Sequence, residues 1–191
     1  MKKNLLYAVA LAASLMGCGQ PQDKNTEIEN KVETLLHKMT LEEKLGQMNQ
    51  LSPWDFEDLA KRVRKGEVGS ILNVVNPEEV NKIQKIAVEE SRLGIPLIVS
   101  RDVIHGYKTI FPIPLGQAAT FNPEVVKEGA RVAAIEASAD GIRWTFAPMI
   151  DVARDPRWGR IAESCGEDPY LNAVMGTAMI KGYQGDSLNY P

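Results

Sequence analysis

Cysteine, histidine, aromatic side chains and net charge are all scarce in this chain of 191 residues. It holds two cysteines and two histidines, and Phe, Trp and Tyr make up 6%. Two cysteines cannot build the disulfide framework of a small secreted scaffold. Two histidines, His37 and His105, give no multi-histidine metal site. Lys and Arg total 22 against 25 Asp and Glu, a formal charge of −3 with no basic block, which argues against a nucleic-acid-binding arm. No apolar run reaches the roughly 20 residues of a membrane-spanning helix. What remains is average: 44% apolar and 25% charged, the composition of a folded domain.

The first thirty residues read as an address. Lys2 and Lys3 precede an apolar run, LLYAVALAA over 5–13, and then LMGC over 15–18. This has the layout of a bacterial lipoprotein signal over 1–17. The peptidase would cut before Cys18, whose thiol would carry the lipid. Met16 is a less usual residue at its place, and an ordinary signal peptide with an incidental cysteine is the plainer alternative. Each buried acyl CH₂ contributes about 0.8 kcal/mol to such an anchor. Residues 18–30 are polar and aperiodic, as in a tether. Membrane association is expected through the lipid only, which predicts an exported protein, periplasmic or at the cell surface. With Cys18 acylated, Cys165 has no partner and reads as a passenger.

From residue 31 the pattern alternates helix and strand. Val32, Leu35, Leu36 and Met39 share a helical face, and TLEE over 40–43 is a capping-box pattern that predicts a second helix with Leu41, Leu45 and Met48 inward. Phe56, Leu59, Ala60 and Val63 predict a third, stopped by Gly66. Residues 68–75, 95–99 and 142–148 read as strands. Asn76-Pro77 and Asn122-Pro123 are helix starts, and Leu171, Val174, Met175, Ala178, Met179 and Gly182 mark the last helix. Short apolar strands separated by helices imply a parallel sheet, in either an open doubly wound fold or a (β/α)₈ barrel. No Gly-x-Gly-x-x-Gly follows the first strand, which weakens the dinucleotide-binding version. The long loops follow strands, as at the active rim of a barrel. Three βα units fall short of eight, so the expected fold is the front portion of a TIM-like barrel over 31–191, truncated after about three βα units.

Two of those loops carry concentrated polar chemistry. RDVIHG over 101–106 sets Asp102 just past a strand, followed by His105. A helix cap or loop hydrogen bond is the bland role for Asp102, and a packed loop position the bland role for His105. Residues 151–168 hold eight charges of mixed sign: Asp151, Arg154, Asp155, Arg157, Arg160, Glu163, Glu167 and Asp168. Alternating guanidinium and carboxylate predicts a charge-assisted network around Trp158, much of it structural.

The ordered motifs TLEEKLGQ (40–47), RDVIHG (101–106), FPIPLG (111–116), APMID (147–151), RDPRWGR (154–160) and GED (166–168) resemble glycoside hydrolase family 3, the β-glucosidase family, and its periplasmic bacterial members above all. The similarity runs over about residues 31–186. The resemblance implies an N-terminal barrel with a following α/β sandwich domain. It implies that Asp102 and Arg160 bind hydroxyls of the terminal sugar, with Arg101, His105, Trp158 and Glu163 in weaker supporting places. The Lys-His pair of that subsite, the nucleophilic Asp and the acid/base Glu are expected beyond residue 191. The implied reaction is retaining hydrolysis of terminal β-D-glucosyl residues from a β-glucoside or oligosaccharide, without metal or cofactor. Xylosidase and exo-glucanase activities share the scaffold, and a non-catalytic glycan-binding lipoprotein is the alternative. An aldolase or phosphate-binding barrel lacks a suitable strand-end Lys or Gly-rich loop.

Overall fold

Local rules set most helix ends. Asn76 and Asn122 each cap a helix, their Oδ1 atoms accepting from the N–H of Glu78 (2.9 Å) and Glu124 (3.1 Å), with proline at the next position. Asp168 does the same for the last helix, accepting from Tyr170 (2.7 Å) and Leu171 (3.1 Å). Gly66, at φ 74°, turns the chain out of a helix ending at Arg64. The computed structural model describes residues 24–185, so the expected signal over 1–17, Cys18 and the start of the tether lie outside the described residues.

The elements in order are α1 (Lys24–Lys38), α2 (Leu41–Gln47), β1 (Gln50–Leu51), α3 (Phe56–Arg64), β2 (Ser70–Leu72), α4 (Pro77–Glu90), β3 (Ile98–Arg101), α5 (Pro114–Ala118), α6 (Pro123–Ala139), β4 (Trp144–Thr145), a 3₁₀ turn (Ile161–Glu163) and α7 (Pro169–Gln184). Among the described residues no helix is long and apolar enough to cross a membrane.

The chain divides into two compact units, one ending at Thr40 and one starting at Leu41. In the first, α1 begins at Lys24, so residues 24–30 are helical where a tether was expected. An exposed Glu27–Lys31 pair at 2.6 Å favours this, with the acid one turn N-terminal to the base.

In the second unit the four strands are all parallel and lie side by side in chain order, β1-β2-β3-β4. A doubly wound sheet reverses its order at a switch point; a barrel does not. Sequential order therefore decides between the two expected architectures in favour of the barrel arrangement. It also corrects the count of about three βα units to four strands. Gln50 and Leu51 form the one not foreseen, held by pairing with Ser70 and Ile71. Along the strands, Leu51, Ile71 and Val99 face the helices. They pack with Leu59, Ala60 and Val63 of α3 and Ile83, Ile86 and Ala87 of α4. Each fully buried Ile, Leu or Val there contributes about 1.5–3 kcal/mol. A second cluster joins α6 and α7 through Val126, Ala130, Met175 and Met179, and Cys165 is buried in it. The thiol thus sits in apolar rather than polar surroundings, and burial pushes its pKa up.

The inward face expected for α2 is reversed. Leu41, Leu45 and Met48 are exposed, while Glu43 and Gly46 are buried. Gly46 lies so close to the Gly66 carbonyl that a Cβ would stand 1.9 Å from its oxygen. Only the glycine side of the helix can make that approach. Glu43, on the same side, is bonded by the Arg92 guanidinium through Nε (2.9 Å) and Nη2.

Candidate functional site

The carboxyl ends of the four strands face one side, and the loops that leave them carry the polar residues. Ser52 follows β1, Asn73 follows β2, Asp102 follows β3, and the loop holding residues 151–168 comes after β4. Adjacent parallel strands stand about 4.8 Å apart. The sheet therefore brings together groups distant in sequence.

Asp102 is exposed, and among the described residues no donor bonds its carboxylate. Val103 beneath it is buried, and its carbonyl accepts from the Tyr183 hydroxyl on α7. Burial pushes the Tyr183 pKa up, and the negative charge of Asp102 pushes it further. The Tyr183 hydroxyl is thus committed to the Val103 carbonyl, and no described residue neutralises Asp102 by a direct bond.

Arg160 lies within the electrostatic reach of that carboxylate. Its Nε and Nη2 grip Glu163 at 3.1 and 2.7 Å, the largest cause of its raised pKa, with smaller contributions from Asp151 and Asp102. Arg160 holds Glu163 below the ordinary carboxylate range in return. The guanidinium is oriented by Glu163 while its Nη1 edge is left unbonded by the described residues. Asp151 was counted among the eight charges of this segment but was not singled out as a site residue. Its place at the end of the fourth motif was the available signal.

The rest of the charged loop is largely scaffold. Arg157 pairs with Asp155 through Nε (2.9 Å) and Nη2 (2.5 Å). The half-buried Trp158 sits in the turn, its backbone N–H on the Asp155 carbonyl at 3.0 Å. The loop is closed by Ala153 N–H on Gly166 O (3.0 Å) and by the buried Asn172. The Asn172 amide donates to Gly166 O (2.9 Å) and Asp168 O (3.0 Å) and accepts from Cys165 N–H (3.3 Å).

The loop after β3 is pinned as well. His105 and Phe111 exchange bonds: the ring Nδ1–H donates to Phe111 O at 2.9 Å, and Phe111 N–H donates to His105 O at 2.8 Å. A carbonyl only accepts, so this bond fixes the His105 tautomer, and the histidine acts as a loop clamp. Glu136 of α6 accepts from Thr109 Oγ1 (2.6 Å) and from the N–H groups of Lys108 and Thr109 (2.8 Å each). Asp140 accepts from Lys108 Nζ (2.9 Å) and Tyr107 Oη (2.8 Å). Burial, then the Asp140 bond, push the Tyr107 pKa up to about 12.

Arg101 does not join Asp102. Its Nη1 donates to Asn73 Oδ1 at 2.6 Å, and Asn73 Nδ2 donates to Ser52 Oγ at 3.1 Å. This bridge across three strand ends was not foreseen. Asn73 holds φ at 70°, which asparagine tolerates better than most residues.

Residues 40–189 match the sequence profile of the Glycosyl hydrolase family 3 N terminal domain. The chain is 45% identical over 159 residues to a periplasmic beta-glucosidase of Salmonella typhimurium, covering 82% of this chain and 21% of that protein. It is 32% identical over 200 residues to a beta-xylosidase of Formosa agariphila, covering 97% and 23%. Among solved structures, a mutant beta-glucosidase from Listeria innocua in complex with laminaribiose superposes with a TM-score of 0.73 at 44% identity, covering 82% of this chain and 24% of that one. The chain thus spans about a fifth to a quarter of the length of these three relatives.

Proposed function

The chain belongs to glycosyl hydrolase family 3, and on that premise we propose that it is the sugar-gripping front part of an exported, retaining, exo-acting β-glucosidase. The observation that carries the reading is an unbonded Asp102 carboxylate just past β3, within electrostatic reach of a Glu163-oriented Arg160 in the loop after β4. A carboxylate that accepts from two sugar hydroxyls, with a guanidinium donating beside it, fits the terminal glucosyl ring. His105 and Trp158 support the two loops that present the pair, and Arg101 flanks it.

The nucleophile Asp and the acid/base Glu belong to residues outside this chain. In the retaining scheme their carboxyl groups stand about 5–5.5 Å apart, and a covalent glycosyl-enzyme forms and is hydrolysed. This chain's part is to bind hydroxyls that do not react. Such binding lowers the barrier when it strengthens as the ring distorts toward the transition state.

The test compares 4-nitrophenyl β-D-glucoside with the β-D-xyloside on the intact protein. The glucoside is expected to react faster, and Asp102→Ala is expected to lower kcat/KM on it by about 100-fold or more. Near-normal activity in a folded Asp102→Ala protein removes Asp102 from the site. A faster xyloside moves the assignment to β-xylosidase, the name printed for the Formosa agariphila relative. Glycan binding without hydrolysis by the intact protein leaves the non-catalytic lipoprotein. Residues 1–191 alone are expected to hydrolyse neither substrate.

The periplasmic relative supports export. We place the anchor at Cys18, after removal of residues 1–17. Cys18→Ser is expected to move the protein from the membrane to the soluble fraction; continued lipid labelling sinks this assignment.

A further inference from the structure

No described residue bonds the Asp102 carboxylate, yet the backbone on either side of it is held. Before it, Arg101 ends β3 and is paired in register with Thr145 of β4. After it, Val103 is 1% exposed, and its carbonyl accepts from the hydroxyl of Tyr183 in the last turn of α7. Among the described residues no other side chain bonds residues 102–104. Tyr183 is itself rigidly placed. At the residue before it, α7 lies directly on α6: a Cβ on Gly182 would stand 2.3 Å from the Lys127 carbonyl oxygen and 2.7 Å from the Ala130 Cβ. The Tyr183 ring packs against both apolar clusters, and a buried tyrosine needs a partner for its hydroxyl. Burial first, and the charge of Asp102 second, push its pKa up, so the hydroxyl keeps its proton and stays a donor. The same helix carries Asn172, which fastens the loop of Arg160. Eleven positions, about 16 Å of helix, separate Asn172 from Tyr183.

We propose that Tyr183 is a positioning residue, whose hydroxyl acts through the Val103 carbonyl to fix the direction in which Asp102 presents its carboxylate to the sugar. α7 then sets both halves of the grip, Arg160 from its start and Asp102 from its end. The proposal rests on the glycosidase reading and goes beyond it, because Tyr183 acts without bonding the sugar. Removing the hydroxyl frees the peptide after Val103 to rotate. A carboxylate that must accept from two hydroxyls at once is sensitive to such a change, because each bond weakens steeply with angle. The ring of Tyr183, by contrast, serves packing, and a phenylalanine supplies it equally well.

The test is a double-mutant cycle on the intact protein with 4-nitrophenyl β-D-glucoside. Tyr183→Phe is expected to lower kcat/KM about tenfold. In an Asp102→Ala background the same substitution is expected to change kcat/KM by less than about twofold, because the carboxylate it positions is gone. A hydroxyl that serves stability alone lowers both backgrounds by the same factor, and that result overturns the proposal. A kcat/KM in Tyr183→Phe within about twofold of wild type overturns it as well. A Tyr183→Phe protein that does not fold also overturns it, and makes the hydroxyl a stability contact. Where the Asp102→Ala rate falls below detection, crystal structures of wild type and Tyr183→Phe decide. An Asp102 carboxylate displaced relative to Arg160 is expected, and an unmoved carboxylate overturns the proposal. The two levels fail separately. Near-normal activity in Asp102→Ala fells the grip, and the positioning role with it. If the intact wild type hydrolyses no glucoside, the glycosidase reading falls, and the same pair of crystal structures still decides whether Tyr183 places Asp102.

Discussion

Asn172→Ala tests whether one buried amide holds the charged loop in place. The Asn172 side chain makes three bonds into residues 165–168: to Gly166 O at 2.9 Å, to Asp168 O at 3.0 Å, and from Cys165 N–H at 3.3 Å. Both carbonyls keep a partner after the substitution. Gly166 O still accepts from Ala153 N–H, and Asp168 O from Asn172 N–H, each at 3.0 Å. Their lost bonds contribute about 1 kcal/mol apiece. The Cys165 N–H is orphaned beside a cysteine that is only 4% exposed, which adds about 1–2 kcal/mol. The total is about 3–4 kcal/mol. At about 2–4 °C per kcal/mol for a domain of this size, the Tm falls by roughly 6–16 °C. Differential scanning calorimetry of the intact protein reads the shift. Hydrolysis below the transition should fall too, because Arg160 is carried on the same loop. A Tm drop under about 2 °C would refute the claim that Asn172 closes the loop.

Further outcomes follow from the packing and the charges. Gly46→Ala drives a Cβ to 1.9 Å from the Gly66 carbonyl oxygen and 2.9 Å from Glu67 Cα, both backbone atoms. It should destabilise the protein by more than about 3 kcal/mol, seen as a lowered Tm or as lost soluble yield. Acid should unfasten the loop after β3. Asp140, bonded first by Lys108 and then by Tyr107, and Glu136, bonded first by Thr109, both titrate below their ordinary values of 3.8 and 4.5. A depressed folded pKa means that their stabilisation is complete above those ordinary values and is lost as the pH falls from them through the lower folded values. The Tm should be flat above about pH 5.5 and decline below about pH 4.5. Asp140→Asn should make that decline shallower, and identical acid limbs for variant and wild type would count against the fastening.

Much of the candidate site is legible in the sequence. Asp102 and Arg160 stand in motifs dense in charge and fixed by proline and glycine, and the fold places both beyond the ends of parallel strands. The pairing of Arg160 with Glu163 follows from their spacing of three residues. Asn73 and Ser52 are not legible in this way. Each is an ordinary polar residue after a short strand, and their bond exists only because β1 and β2 are neighbours. Arg101 adjoins Asp102 in sequence, yet it bonds away from it, toward β2.

Local sequence decided the features whose physics is local. The Asn-Pro helix starts, the stop at Gly66 and the apolar stripes of α3 and α4 depend on capping, backbone angle and helical period, all of which act within a few residues. Tertiary structure decided whatever depends on a partner elsewhere in the chain. Gln50 and Leu51 have no periodicity of their own and become a strand by pairing with Ser70 and Ile71. The period of α2 defines two faces but does not say which one is buried. The approach of Gly46 to Gly66 turns the glycine face inward and leaves Leu41, Leu45 and Met48 outside. The order of the strands, which separates a barrel from a doubly wound sheet, is likewise a relation between segments that no single segment contains.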